Sequence, residues 1–316
     1  MLKITSLPAL LRQVFILVFL LHFILNPPPP AAPVVFTTLP PLELEGMTLI
    51  QPPAPPAPPS LPLSVFLAPD DEESALFIWN QRSGQVAASW RAEEKMAPAS
   101  LTKLMTALVA WEKMPREKKI VVEDFNPWGS QMGLQKGEII SVEGLLWGLL
   151  LNSGNDAASV LAANFPGGTK AFVAAMNRKA AELGLKQTHF TNPVGWDDPA
   201  HYSTARDLAY LTHYFLQEPF LAQIVTWKTK TWVGEQISSS AQGEKKKITH
   251  YLQNTNPLLG LDPTVAGVKT GFTEQAGQCL IFFRRGKKQQ WIVVLLHSRD
   301  RKAEGEKILR ALAALE

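Results

Sequence analysis

Ser100 and Lys103 stand three residues apart where an apolar segment with helical spacing begins. Because residues three apart share one face of a helix, the lysine amine is expected beside the serine hydroxyl. A serine hydroxyl is a poor nucleophile at neutral pH, and a lysine whose pKa is lowered by burial can accept its proton. The pair predicts a serine nucleophile with a lysine base. Ser-x-x-Lys alone is more often a helix cap followed by a surface lysine than a catalytic pair, so other residues must decide.

A second motif, Ser153-Gly154-Asn155, lies in a predicted turn between two helices. Ser153 is positioned in this hypothesis to relay the proton to a leaving group, and Asn155 to bond both Lys103 and a substrate backbone. A third motif begins with Lys269 at the end of a predicted strand. Its ammonium is expected to hold a substrate carboxylate and, by its charge, to help keep Lys103 neutral.

Three residues complete the third motif: Thr270, Gly271 and Phe272. The Thr270 hydroxyl can bond the same carboxylate, and Gly271 lets the strand approach the substrate closely. The backbone N–H groups of Ser100 and Phe272 are predicted to form an oxyanion hole.

The elements that must position these motifs are readable from periodicity and turn residues. Strands bracket a helical middle, which predicts an α+β fold: one antiparallel sheet with helices packed on it and an inserted helical lobe. The predicted strands are 75–79, 85–90, 264–270, 278–284 and 290–296, and the segments 226–233 and 248–252 are predicted to be strands or extended arms. The predicted helices are 100–111, 142–151, 156–163, 169–183, one opening at 203–207, and 301–315.

Residues 1–26 are predicted to be a signal peptide or an N-terminal membrane anchor, since positive charge precedes a 12-residue apolar run at 14–25. Residues 27–69 hold 15 of the 25 prolines and are predicted to be a largely disordered, extended linker. The folded catalytic domain is expected at 70–316. Either N-terminal reading places this domain outside the cytoplasm.

The composition bears on three possibilities: a nucleic-acid partner, a disulfide and a metal site. A net charge of +3, from 31 basic and 28 acidic residues, gives no reason to expect nucleic acid as a partner. The single cysteine, Cys279, excludes an intramolecular disulfide and is predicted to be buried in a strand. The six histidines show no paired metal spacing, so no metal site is predicted.

The three motifs, in this order, resemble those of the serine D-alanyl-D-alanine carboxypeptidases, the low-molecular-mass penicillin-binding proteins. The similarity extends from about Ala75 to Leu315. It includes several segments around the motifs: 151–158, 188–195, 201–209, 254–259 and 267–273.

The resemblance implies a β-lactamase/transpeptidase-like fold with a five-stranded antiparallel sheet. It implies removal of the terminal D-Ala from peptidoglycan stem pentapeptides through an acyl-enzyme on Ser100, with β-lactams as covalent inhibitors and no cofactor. Some relatives carry a second all-β domain and a C-terminal anchor, which this sequence is expected to lack; its N-terminal segment is expected to replace that membrane attachment.

Three alternatives stay open at this stage. A D,D-endopeptidase acting on cross-linked peptidoglycan would use the same residues. A class A-type β-lactamase would need a glutamate near Ser100, and Glu218 is the nearest pattern match, interpreted as coincidence. A non-catalytic wall-binding scaffold is disfavoured because every expected catalytic residue is present.

Overall fold

The computed structural model describes residues 69–314, apart from 124, 126, 127, 238–244 and 287. The signal or anchor predicted at 1–26, and the linker predicted at 27–69 except its last residue, lie outside the described residues. No helix in the described part of the chain combines the length and the apolar character needed to cross a membrane.

A five-stranded sheet forms the centre of the fold, with strand order β2-β1-β9-β8-β7 and antiparallel pairing throughout. The predicted five-stranded antiparallel sheet is therefore confirmed. Its strands are β1 (Ala75–Asn80), β2 (Val86–Trp90), β7 (Val265–Thr273), β8 (Gly277–Arg285) and β9 (Gln290–Ser298).

Helices cover both faces of this sheet, which explains why the sequences of β8 and β9 are nearly continuous apolar runs. On one face Ile281 and Val294 belong to the larger core, which includes the helical lobe. On the other face Phe282 and Val293 pack with Leu312 of the C-terminal helix. Cys279 is fully buried within β8, as predicted.

Seven helices lie within the described residues. They are α1 (Lys103–Lys113), α2 (Val142–Leu151), α3 (Asn155–Ala163), α4 (Gly168–Glu182), α5 (Ala205–Gln217), α6 (Pro219–Thr226) and α7 (Arg301–Ala313). Only one of the two hydrogen bonds of a capping box forms at the start of α5. The Thr204 hydroxyl accepts from the backbone N–H of Asp207, whereas the Asp207 carboxylate accepts from Gln187 N and Thr188 Oγ1 instead.

Two features were not predicted. A second, four-stranded sheet has the order β3-β4-β5-β6, formed by β3 (Lys119–Val121), β4 (Glu138–Ser141), β5 (Thr229–Ile237) and β6 (Lys245–Gln253). The segment after Glu218, for which no helix was predicted, forms α6. Proline occupies the first turn of α6, where its missing N–H costs no hydrogen bond.

Candidate active site

Ser100 lies in a short 3₁₀ turn, Ala99–Thr102, that leads directly into α1. Two glycines allow other segments to approach this turn. A Cβ on Gly195, whose φ is +91°, would overlap the carbonyl oxygen of Ala99. A Cβ on Gly271 would lie 2.9 Å from the backbone nitrogen of Ser100. The Ser100 turn is thus enclosed by the 187–200 loop on one side and by β7 on the other.

The amine of Lys103 is fully buried and has three oxygen neighbours. Nζ lies 2.8 Å from Ser100 Oγ, 2.7 Å from Asn155 Oδ1 and 2.8 Å from the carbonyl oxygen of Val194. The last two oxygens can only accept. A neutral amine has two N–H bonds to give them, which leaves its lone pair directed at the Ser100 hydroxyl.

The electrostatic surroundings favour this neutral form. Burial lowers the pKa of Lys103 well below its usual value, and the positive charge of Lys269 lowers it further. The carboxylate of Asp156 acts in the opposite direction with a smaller effect. The side chain predicted to be the base therefore has the contacts that a base requires, and its lowered pKa favours the neutral amine.

Lys269 and Ser153 also come together, although 116 residues separate them. The Lys269 ammonium donates to Ser153 Oγ at 2.8 Å and to its neighbour's carbonyl, Thr270 O, at 2.9 Å. Burial, with the charge of Arg301, lowers the pKa of Lys269 to about 7. Ser153 is held at a φ of +57°, a conformation unusual for a residue with a Cβ, at the turn between α2 and α3.

Asn155 begins α3 and is fixed on both sides of its amide. Its Nδ2 donates to the carbonyl of Trp128 at 2.7 Å while Oδ1 receives Lys103. Next to it, the Asp156 carboxylate accepts the backbone N–H groups of Met132, Gly133 and Leu134. The loop 128–135 is thereby bound to the start of α3.

These groups line one cleft of about 360 Å³. Lys103 and Lys269 lie beneath its wall, each bonded to a lining serine. The lining residues are Ser100, Gly129, Ser130, Ser153, Asn155, Val194, Gly195, Trp196, Thr255, Thr270, Gly271, Phe272, Thr273 and Arg301. All eight residues singled out in the three motifs therefore lie at this cleft.

Several cleft groups were not predicted. Arg301 lines the cleft and donates from Nη1 to Gly271 O at 2.7 Å. One signal was available, because an arginine in the first turn of a predicted helix opposes the helix dipole and so suggests another role. The Thr255 hydroxyl lies 2.6 Å from that of Thr270, with no signal in the sequence. The Val194 carbonyl is a backbone group that every residue has, so no residue type could signal it, and it was also missed.

His201 and Glu218 do not line the cleft, and their contacts are structural. His201 Nδ1 accepts the backbone N–H of Thr191, and Nε2 lies 2.8 Å from Thr102 Oγ1. Burial lowers the pKa of His201 to about 4, so it stays neutral and secures the 187–200 loop against α1. Glu218 accepts from Trp111 Nε1, eight residues along α1 from Lys103 and about 12 Å away. A glutamate there is not placed to activate water at Ser100.

Within the described ranges, no cluster of three or more histidine, cysteine, aspartate or glutamate side chains is arranged to hold a metal ion. The chemistry available at the cleft is that of a serine, two lysines of lowered pKa and an arginine.

A family model described as D-alanyl-D-alanine carboxypeptidase matches residues 67–300. The chain belongs to this family. It is 32% identical over 249 residues to D-alanyl-D-alanine carboxypeptidase DacF of Bacillus subtilis, a match covering 77% of this chain. It is 35% identical over 233 residues to a D-alanyl-D-alanine endopeptidase of Pseudomonas aeruginosa, covering 72% of this chain and 71% of that protein.

Among solved structures, the chain is similar to the DD-transpeptidase of Streptomyces K15, with a TM-score of 0.70 and 28% sequence identity over 76% of this chain and 96% of that one. The fold is thus the one that this DD-transpeptidase has. The match spans only 61% of the length of DacF and 63% of the length of DacD from Escherichia coli.

Proposed function

We propose that this protein is a serine D,D-carboxypeptidase that removes the terminal D-Ala from peptidoglycan stem pentapeptides and is inhibited covalently by β-lactams. The observation that carries this proposal is the 2.8 Å contact between the buried Lys103 amine and the Ser100 hydroxyl. The family membership and the three converging motifs support it.

In the proposed acylation step, Ser100 Oγ attacks the carbonyl carbon of the penultimate D-Ala while Lys103 takes the hydroxyl proton. The backbone N–H groups of Ser100 and Phe272 stabilise the oxyanion. The C–N bond then breaks, and the proton reaches the leaving amine through Ser153. Asn155 holds the base and the substrate backbone. Water hydrolyses the ester by the same proton transfers in reverse.

Binding of the terminal carboxylate is assigned to the group Lys269, Thr270 and Arg301. Arg301 brings positive charge to one end of the cleft, Thr270 offers a hydroxyl there, and Lys269 lies beneath them, bonded to Ser153. Gly271 keeps β7 near the Ser100 turn, so the anchored carboxylate and the scissile bond meet the nucleophile together.

A D,D-endopeptidase activity is the second candidate, because the relative from Pseudomonas aeruginosa bears that name and is matched over most of its length. It would use the same residues on a cross-linked substrate. A β-lactamase is disfavoured because Glu218 lies by Trp111.

The test is to incubate the full chain with pentapeptide and, separately, with cross-linked muropeptides, and to measure free D-alanine and cleaved cross-links. We expect D-alanine from pentapeptide, together with a penicillin adduct on the Ser100 peptide by mass spectrometry. Ser100→Ala should lose both, whereas Ser83→Ala, at a turn between β1 and β2, should lose neither. Cleavage of cross-links alone would assign the endopeptidase activity, and no adduct on any residue would reject the proposal.

We further propose that residues 1–26 export or anchor the chain, that 27–69 form a tether, and that 70–316 work outside the cytoplasm. Support comes from the apolar run and the proline content. Alkaline phosphatase, which is active only after export, can be fused after residue 69. Activity of this fusion in intact bacteria, lost when residues 14–25 are deleted, is the expected result. Equal activity without them would contradict it.

A further inference from the structure

A buried ion pair lies outside the cleft, in the second sheet. Glu138 of β4 and His250 of β6 are 0% and 3% exposed, and His250 Nε2 lies 2.6 Å from Glu138 Oε1. The other ring nitrogen, Nδ1, lies 3.1 Å from the carbonyl oxygen of Met132. Both partners can only accept when the carboxyl group is ionised, so the arrangement suits the doubly protonated imidazolium.

The charged groups that face His250 are Glu138 from β4 and Asp156 from α3. Burial acts to lower the pKa of His250, but the hydrogen bond and charge of Glu138, the Met132 carbonyl and the Asp156 charge outweigh it, leaving the pKa raised. Gly234 of β5 leaves room for the Glu138 carboxylate, because a Cβ at this position would overlap Glu138 Oε1.

Both members of the pair hold the loop 128–135. His250 contacts the Met132 carbonyl, and Glu138 Oε2 accepts the backbone N–H of Gln135 at 3.1 Å. The same loop is fastened from the other side by the Asp156 carboxylate. The loop is thus held by hydrogen bonds to the second sheet on one side and to the start of α3 on the other.

That loop determines the orientation of the Asn155 amide. Trp128 O receives Asn155 Nδ2 and Ser130 O receives the Asn155 backbone N–H, each at 2.7 Å. Because the amide nitrogen and the backbone N–H are both bound by loop carbonyls, Oδ1 is left facing the Lys103 amine. A shift of the loop would free the amide to turn and present its NH₂ group to the amine, which would remove one of the two acceptors that orient the lone pair of the base.

We propose that Glu138 and His250 form a positioning pair for the base: by holding the loop 128–135 they keep the Asn155 amide oxygen on Lys103. This inference rests on the proposed acylation of Ser100. Neither residue lines the cleft. The pair acts below the pH at which the imidazolium loses its proton, and above that pH one of its two hydrogen bonds is lost.

The test uses the full chain and measures penicillin acylation as a saturating rate constant and a dissociation constant between pH 6 and pH 9.5. His250→Gln retains one donor and should lower the rate constant about 10- to 100-fold near neutral pH, with little change in the dissociation constant. The ratio of wild-type to variant rate constants should approach one as the pH rises. A ratio that is close to one throughout, or that does not change with pH, would overturn the proposal.

Hydrogen exchange gives a readout that does not need activity. Peptides covering the loop 128–135 should exchange faster in His250→Gln than in wild type, and unchanged exchange would also overturn the proposal. His213→Gln is the matched control, because the His213 ring bonds Gln81 and Gln217 on another face of the protein. Should His250→Gln fail to fold, Glu138→Gln tests the same point, since it should move the alkaline loss of acylation to lower pH.

The two proposals fail in different ways. Absence of any penicillin adduct in the wild-type chain contradicts the proposed function. A normal adduct in wild type with identical loop exchange and acylation in the variants contradicts only the positioning pair.

Discussion

The Lys103 amine is surrounded by two oxygens that can only accept a hydrogen bond and by one hydroxyl that can donate. Lys103→Met keeps the buried volume and removes the base, so the acylation rate should fall about 10³-fold while the protein stays folded. For the wild type, acylation should weaken as the pH falls through the lowered pKa of Lys103, because the protonated amine cannot accept the proton. Fluorescent-penicillin labelling measures both effects.

Lys113→Met is the control, since Lys113 is exposed at the other end of the same helix. Its labelling rate should equal that of wild type. A Lys103→Met rate within tenfold of wild type would show that another group takes the proton.

The lowered pKa of Lys269 predicts how the stability of the protein depends on pH. Its pKa is about 7 in the folded protein and about 10.4 in an unfolded chain. Between these values the unfolded state binds more protons, so the free energy of unfolding should rise with pH across this window. Lys269→Met removes one such group, and it should be more stable than wild type at pH 7 while losing affinity for substrates with a free carboxylate.

Urea unfolding at pH 7 and pH 9 measures the slope. The wild-type gain in stability between the two should exceed that of Lys269→Met, and Lys302→Met, at an exposed position, should behave as wild type. Equal slopes in wild type and Lys269→Met would mean that Lys269 is charged at neutral pH in the folded state.

At the scale of elements, the 187–200 loop must lie against the Ser100 turn. Gly195→Ala would drive a methyl group into the Ala99 carbonyl and disfavour the positive φ, so it should cost about 3 kcal/mol of stability and abolish labelling. Gly184→Ala is matched, because Gly184 also has a positive φ but open space around it. It should cost only about 1–2 kcal/mol, and labelling should persist. Thermal unfolding compares the two, and equal losses would argue against close contact.

Long periodic elements were predicted well and short ones were not. The helix at 142–151 was predicted with the bounds that α2 has, because its large apolar residues include helically spaced positions and the polar Asn152 follows its last residue. β3 and β4 are three and four residues long, too short to show alternation, and the second sheet was missed with them. α6 is only eight residues long and was also missed.

The site was predictable where side chains carry the chemistry. The three motifs named eight residues that the fold brings to one cleft. Arg301 was missed because its place at the cleft depends on how α7 meets β7, and its position in the first turn of a predicted helix was the one local signal. The His250 pair was missed for the same reason, since 112 residues separate its partners. The roles of all these residues stay predictions until tested.

At the scale of the whole molecule, we expect that a substitution in the core on one face of the central sheet can lower stability without changing the rate of acylation at the cleft. Leu312 of α7 is fully buried on the face away from the helical lobe. Leu312→Ala should therefore cost about 2–5 kcal/mol of stability, while the folded fraction keeps its rate of penicillin acylation. Leu261→Ala, at a position 57% exposed, should change neither quantity. Chemical denaturation with labelling on the same samples checks this, and a slower acylation in folded Leu312→Ala would show that the faces are coupled.

The pairing of β1 with β9 sets an order of events during synthesis. Ala75 lies opposite Leu296, so the middle of the sheet cannot form until the chain as far as Leu296 has left the ribosome. Lys269 and Arg301 also arrive late, long after Ser100. A partly made chain therefore carries Ser100 before these residues can surround it, and on the proposed mechanism the serine becomes reactive only after β9 has joined the sheet.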